Sequence, residues 1–79
     1  MNIPTMNKLD ANDLIDLVVK KLELKNDAAL SRELQVAPPV ISKIRHGKLT
    51  VGAKLVLKIH KLTGMTVAEI ESYLEGSDV

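Results

Sequence analysis

The two consecutive prolines at positions 38 and 39 restrict the fold of this chain more than any other feature. Proline has no backbone N–H and clashes with the preceding turn, so a helix cannot run through this point. Proline does suit the first turn of a helix, and it holds the residue before it in an extended conformation. The pair therefore predicts that one helix ends before Ala37 and that another begins at Pro38.

Apolar residues recur at helical spacing on both sides of this pair. Before it, the pattern predicts a first helix from about Asp10 to Leu22 and a second that follows Asn26, a good N-cap, and ends near Leu34. The prolines then open a third helix over residues 38–46.

Two more helices are expected after Gly47. Thr50 is the predicted N-cap of the fourth, which ends at Gly64, and Thr66 with Glu69 forms a capping box for the fifth, which ends at Gly76. We therefore expect an all-α fold, a compact five-helix domain over residues 1–79 with frayed ends at 1–8 and 77–79.

Composition narrows the class of protein. The chain has 79 residues, one Tyr and no Phe, Trp or Cys, so its core must be aliphatic and it can form neither a disulfide nor a thiolate metal site. No apolar stretch approaches the roughly 20 residues of a membrane span, and the first residues lack the layout of a signal peptide. We expect a cytoplasmic protein without a membrane partner.

Catalytic motifs are not apparent. The sequence contains no HExxH, no Gly-rich phosphate loop and no carboxylate cluster at metal-ligand spacing. Its two histidines, His46 and His60, form no triad without a geometry that joins them to other groups, and His60 is expected on the surface among lysines. Met65 is expected to fill the core. We predict no enzymatic activity, no metal and no cofactor.

The net charge of +1 conceals an uneven distribution. Residues 32–61 contain seven Lys or Arg and one acid, a net of +6, whereas residues 62–79 contain four acids and no base. This basic middle is compatible with a nucleic-acid partner and equally with an ordinary solvated face.

The predicted third helix separates apolar from polar residues. At 100° per residue, Val40, Ile41 and Ile44 lie on one side. The other side carries a stripe of four residues that can offer hydrogen bonds and apolar contacts to base edges: Pro39, Ser42, Lys43 and His46. Arg45 and Lys48 stand beside it for phosphates. Any short surface helix also has a polar side, so the stripe alone does not establish DNA binding.

Residues 27–47, DAALSRELQVAPPVISKIRHG, resemble the helix-turn-helix of the Cro/cI-type (XRE-like) family of bacterial and phage DNA-binding regulators. Ser31 stands at the family's small-residue position and Gly47 where its recognition helix ends. The resemblance continues through GKLTVGAKLVLKIHKLTGMTVAEIESYL, about two thirds of the chain in all. The matching buried apolar positions are Leu30, Leu34, Val36, Ile41 and Ile44.

The resemblance implies a lambda-repressor-like DNA-binding domain. Its base-reading positions correspond to Pro39, Ser42, Lys43 and His46, the stripe already described, and its phosphate contacts to Asn26 and Lys48. Three residues depart from the family. Asp27 places an acid near a phosphate, Gln35 replaces a turn glycine and is expected to alter the turn, and Pro38 removes a polar side chain.

The resemblance also implies a homodimer that reads two half-sites about one helical turn apart. Candidate contacts are Ile70, Tyr73 and Leu74 of the fifth helix, or the exposed part of the first. The alternative is that these residues close the monomer core. We expect a sequence-specific regulator of transcription, a repressor, bound to a double-stranded DNA operator. The competing interpretation is a protein-binding module of the same fold, an antitoxin or adaptor.

Overall fold

A computed structural model describes residues 10–74, and its regular structure is entirely helical over that range. The helices are α1 (Ala11–Lys21), α2 (Asp27–Leu34), α3 (Pro38–Arg45), α4 (Ala53–Thr63) and α5 (Val67–Ser72). The predicted all-α fold of five helices is confirmed. The frayed ends predicted at 1–8 and 77–79 lie outside the described residues. The predicted end of the fifth helix at Gly76 is wrong, because α5 ends at Ser72 and Tyr73 and Leu74 form a turn.

Side chains cap three of the helices. Asp10 and Asp13 form a reciprocal capping box at the start of α1, with N···O distances of 3.0 and 3.1 Å. Asn26 Oδ1 accepts the Ala29 N–H at 2.9 Å at the start of α2. The predicted cap at Asn26 is thus confirmed.

The predicted capping box of α5 is confirmed as well. Thr66 Oγ1 accepts the Glu69 N–H at 3.0 Å, and Glu69 Oε1 accepts the Thr66 N–H at 2.9 Å. Together these bonds satisfy two backbone donors that would otherwise lack partners.

The N-cap predicted for α4 is wrong. The helix begins after Gly52, which is extended at φ −83° and ψ 174° and offers no side-chain bond, while Thr50 lies in the preceding loop. Val51, between Thr50 and Gly52, packs partly buried against the core. A Thr cap has only a few tenths of a kcal/mol advantage over Gly, so local preference is easily outweighed by packing.

Four helices end at a left-handed residue. Gly64, at φ 80°, is the C-cap of α4, and the other three helices share one type of turn. Beyond α1, α2 and α3, the residues Glu23, Gln35 and Gly47 have φ values of 54°, 60° and 74°. After α2, the Val36 N–H donates to Ser31 O at 2.9 Å and the Gln35 N–H to Arg32 O at 3.2 Å, which is the Schellman pattern. The expectation that Gln35 would alter the turn is therefore wrong: it adopts the left-handed conformation that glycine favours.

The core joins all five helices. Met65 is buried, as predicted, and Ser31 is buried with its Oγ donating to Ala28 O at 2.7 Å. α3 packs on α1 and α2, α4 on the same two helices, and α5 on α4. The buried apolar residues are Leu14, Ile15, Val18, Leu30, Leu34, Ile41, Ile44, Val56, Ile59, Met65 and Ile70.

α2, a three-residue turn and α3 follow one another in an arrangement consistent with a helix-turn-helix. None of the helices in the described part of the chain has the length and apolar character that crossing a membrane requires.

Candidate nucleic-acid interface

The exposed face of α3 carries the predicted stripe. Ile41 and Ile44 are completely buried and Val40 is half-buried against the core. All four stripe residues are exposed: Pro39, Ser42, Lys43 and His46. The helix therefore packs by one side and presents the other to solvent, as its sequence pattern predicts.

The start of α3 has few backbone donors. Ala37 is extended at φ −70° and ψ 143° and provides no side-chain cap, and Pro38 and Pro39 occupy the first two helical positions. The Val40 N–H donates to Ala37 O at 2.9 Å. Because prolines have no N–H, this helix start cannot hold an anion through its first amides. Any recognition by α3 must come from its side chains.

His46, the last residue of the stripe, is held by the backbone of α3. Its Nδ1 lies 2.8 Å from Ser42 O, the carbonyl that also accepts the His46 backbone N–H at 3.1 Å. This contact orients the imidazole at the exposed end of the helix.

Arg45 does not occupy the position predicted for it. Its side chain is 24% exposed and turns toward α1 and α2, where Nε and Nη2 donate to the two carboxylate oxygens of Asp27 at 2.7 and 2.9 Å. Nη1 donates to Asn12 Oδ1 at 2.6 Å and to Asp16 Oδ1 at 2.8 Å. With its three guanidinium nitrogens occupied, Arg45 is unsuited to the phosphate contact predicted for it.

The bonds from Arg45 also determine the charge state of Asp27, the acid that the resemblance places near a phosphate. The hydrogen bonds from Arg45 lower the pKa of the Asp27 carboxyl, against an opposing effect of partial burial, and the positive charge of Arg45 adds to the lowering. The same bonds raise the pKa of Arg45 above its ordinary range. Asp27 is thus ionised and paired, so its charge is compensated within the chain.

Asn26 and Lys48, the other predicted backbone-contacting residues, are both exposed. Asn26 caps α2 through its oxygen, which leaves its amide nitrogen to donate. Lys48 follows the left-handed Gly47, and its N–H donates to Lys43 O at 2.8 Å. The left-handed turn at Gly47 therefore ends α3 and places Lys48 in the loop that follows it.

The stretch of sequence without acids extends beyond residues 32–61, over which the net charge of +6 was counted. From Leu34 to Ala68 the sequence contains six Lys or Arg and no acid. This span includes all of α3 and α4. With Arg45 neutralised by its partners, five lysines carry the positive charge of this segment: Lys43, Lys48, Lys54, Lys58 and Lys61.

One of these lysines has a structural role that sequence reasoning missed. Lys58 Nζ donates to Leu34 O at 2.8 Å, so α4 supplies a positive group to the carbonyl end of α2. A cation at this end of a helix is favourable for the helix dipole. No local sequence pattern relates positions 34 and 58.

The predicted dimer contact at Ile70 is wrong. Ile70 is fully buried in the core of the monomer, and Tyr73 and Leu74 are half-buried against that core. For Ile70 the alternative interpretation, closure of the monomer core, is correct. Large apolar side chains are exposed elsewhere: Leu49 by 39%, Leu57 by 51% and Leu62 by 38%.

The two histidines are in similar settings on different helices. His60 is exposed, as predicted, and its Nδ1 lies 2.7 Å from Met65 O. Within residues 10–74, no group of three or more His, Asp or Glu is placed to hold a metal ion.

Comparison of the chain with protein-family models, with curated proteins and with solved structures finds no match.

Proposed function

We propose that this chain is a sequence-specific double-stranded DNA-binding regulator that inserts α3 into the major groove. The observation that carries the proposal is the exposure of Pro39, Ser42, Lys43 and His46 opposite the buried Ile41 and Ile44. A helix of eight residues is about 12 Å long, comparable to the width of the major groove.

The turn between α2 and α3 agrees with the resemblance. Gln35 adopts a left-handed conformation although it is not glycine, and this conformation costs such a residue about 1–2 kcal/mol. Gln35 lies in the short connection that sets the direction of α3 relative to α2. Retention of this geometry agrees with the resemblance to the Cro/cI-type regulators, in which this turn orients the recognition helix.

The charge arrangement is favourable as well. The pairing of Asp27 with Arg45 removes an uncompensated acid from the start of α2, next to Asn26. Lys43 and Lys48 remain exposed at the end of α3. We assign Lys48 and the amide of Asn26 to phosphates, and the stripe to bases.

In the regulator that we propose, the protein acts in the cytoplasm as a repressor and binds as a homodimer to two half-sites about 10 base pairs apart. Since Ile70 is buried, the dimer contact would use the outer parts of Tyr73 and Leu74 or the exposed face of α1.

Selection of bound duplexes from a random pool tests this proposal. We expect an inverted repeat, bound at least ~10³-fold more tightly than scrambled DNA. The double variant Lys43→Ala with His46→Ala should lose this preference and keep its helical circular dichroism.

The matched control is His60→Ala with Lys61→Ala, which removes the same two residue types from the exposed face of α4. This control should recover the wild-type motif. The proposal is contradicted if no motif emerges and binding is weak and disappears as salt rises, or if the α3 variant binds as well as the wild type.

The second candidate is a protein-binding module. Leu57 is 51% exposed on α4, and Lys54 and Lys61 flank it at helical spacing. An apolar side chain between two cations would suit an acidic amphipathic partner. A partner whose binding is lost on Leu57→Ala but kept in the α3 variant would favour this alternative.

A further inference from the structure

The hydrogen bond of His46 fixes the chemistry that its ring can present. Ser42 O is a backbone carbonyl and can only accept, so Nδ1, at 2.8 Å, must carry the proton. In the neutral ring the second nitrogen, Nε2, then has no hydrogen and is an acceptor. In the neutral ring, the nitrogen that remains for a partner outside the chain therefore requires a donor.

The same bond reduces the number of orientations available to the ring. His46 directly follows the last residue of α3, and its side chain is tied to a carbonyl four residues earlier on the same helix. A side chain held in this way loses less conformational entropy when it binds than a mobile one would. It is consequently better suited to discriminate between bases than the long side chain of Lys43.

Only some bases offer a donor in the major groove. Adenine presents the N6 amino group and cytosine the N4 amino group, whereas guanine presents two acceptors and thymine an acceptor and a methyl group. We infer that His46 is a specificity-determining residue whose Nε2 accepts a hydrogen bond from the amino group of an adenine or cytosine. This inference rests on the proposed function and narrows it to one class of base at one position.

The first experiment repeats the duplex selection with His46→Lys. Lysine has three donors and no acceptor, so the preferred base pair at one position of the wild-type half-site should change, with the other positions unchanged. The matched control is His60→Lys. His60 is exposed and its Nδ1 is likewise held by a carbonyl, Met65 O, but it lies on α4, so its variant should recover the wild-type motif.

The second experiment removes the amino group from the DNA. In the selected duplex the adenine is replaced by unsubstituted purine, or the cytosine by 2-pyrimidinone, and affinities of the wild type and of His46→Ala are measured at pH 8. The wild type should lose about 3- to 10-fold more affinity than His46→Ala, the range expected for one hydrogen bond. The variant corrects for any effect of the analogue on the duplex itself.

The outcomes separate the two proposals. Equal losses of affinity for the wild type and His46→Ala on removal of the amino group overturn the role of His46 and leave sequence-specific DNA binding intact. If His46→Lys selects the same motif as the wild type, the role of His46 is likewise overturned. Failure of the wild type to select any motif overturns the proposed function and this inference with it.

Discussion

The five helices form two groups that differ at their N-termini. α1, α2 and α5 begin with a side-chain cap and have an acid in the first turn, namely Asp13, Asp27 and Glu69. α3 and α4 have neither, since their N-caps are Ala37 and Gly52 and neither helix contains an acid. The first group is stabilised locally, whereas the second depends on packing and keeps its surface free of negative charge.

The free energies of capping and of burial explain why α3 is stable without a side-chain cap. A side-chain cap contributes about 1 kcal/mol, while burial of one Ile contributes about 1.5–3 kcal/mol. α3 buries Ile41 and Ile44 completely. Two buried residues therefore outweigh a missing cap. The absence of acids favours contact with a polyanion, so α3 and α4 combine low local stability with a suitable surface charge.

Arg45 connects the two groups, and its removal should have the largest effect. Arg45→Met breaks the bonds from α3 to Asp27, Asp16 and Asn12 and leaves two carboxylates unpaired. We expect a loss of about 1–2 kcal/mol in the free energy of unfolding, limited by the solvent exposure of the acids. Urea denaturation followed by circular dichroism measures it.

Lys43→Met is the matched control, because it removes a charge from the exposed side of the same helix. It should change the free energy of unfolding by no more than about 0.5 kcal/mol. Equal losses for the two variants would show that the bonds of Arg45 do not stabilise the fold.

Acid titration sharpens the same contrast. The pKa of Asp27 is lowered in the folded state, chiefly by its hydrogen bonds from Arg45, so this interaction is fully present above the unfolded pKa of about 4. The interaction is lost as the pH falls through the pKa of Asp27 in the folded protein, which is lower than its pKa in the unfolded chain. The stability difference between wild type and Arg45→Met should therefore shrink in this range, and a difference independent of pH would contradict the assignment.

Loss of a cap should have the next largest effect. Thr66→Ala removes the acceptor of the Glu69 N–H and should lower the free energy of unfolding by about 1 kcal/mol. Thr50→Ala makes the same chemical change at an exposed threonine that caps no helix, and it should have almost no effect. Thermal unfolding of the two variants measures both losses. A comparable loss of stability for Thr50→Ala would show that Thr50 does cap α4.

The smallest change in stability is expected when α4 is given the N-terminal features that α1, α2 and α5 have. Gly52→Asp gives α4 both a cap and an acid, and the extended backbone there accepts a side chain without contact within 4 Å. Stability should rise by a few tenths to about 1 kcal/mol. Gly52→Asn supplies the cap without the charge and should give a smaller gain, with less dependence on salt. A gain that is equal for both variants would exclude a contribution from the helix dipole.

The sequence was sufficient for features that depend on neighbouring residues. The start of α3 follows from the chemistry of Pro38 and Pro39, and the α5 capping box from Thr66 and Glu69, three positions apart. The α3 stripe follows from periodicity. For Thr50 the local preference was too small to overcome the packing of Val51.

The features that were missed join residues distant in sequence. Arg45 lies four positions after Ile41, which places it near the packed side of α3, but its partners belong to α1 and α2. Periodicity alone could suggest that Arg45 turns inward and could not name Asp16 or Asp27. The bond from Lys58 to Leu34 O is of the same kind.

The scarcity of aromatic residues has a consequence for spectroscopy. Tyr73 is the only aromatic side chain besides the two imidazoles, and it packs half-buried against the core at the end of α5. Intrinsic fluorescence therefore reports on the docking of α5 and is blind to local changes in α3. A transition seen by fluorescence but not by far-ultraviolet circular dichroism would mark detachment of α5 alone.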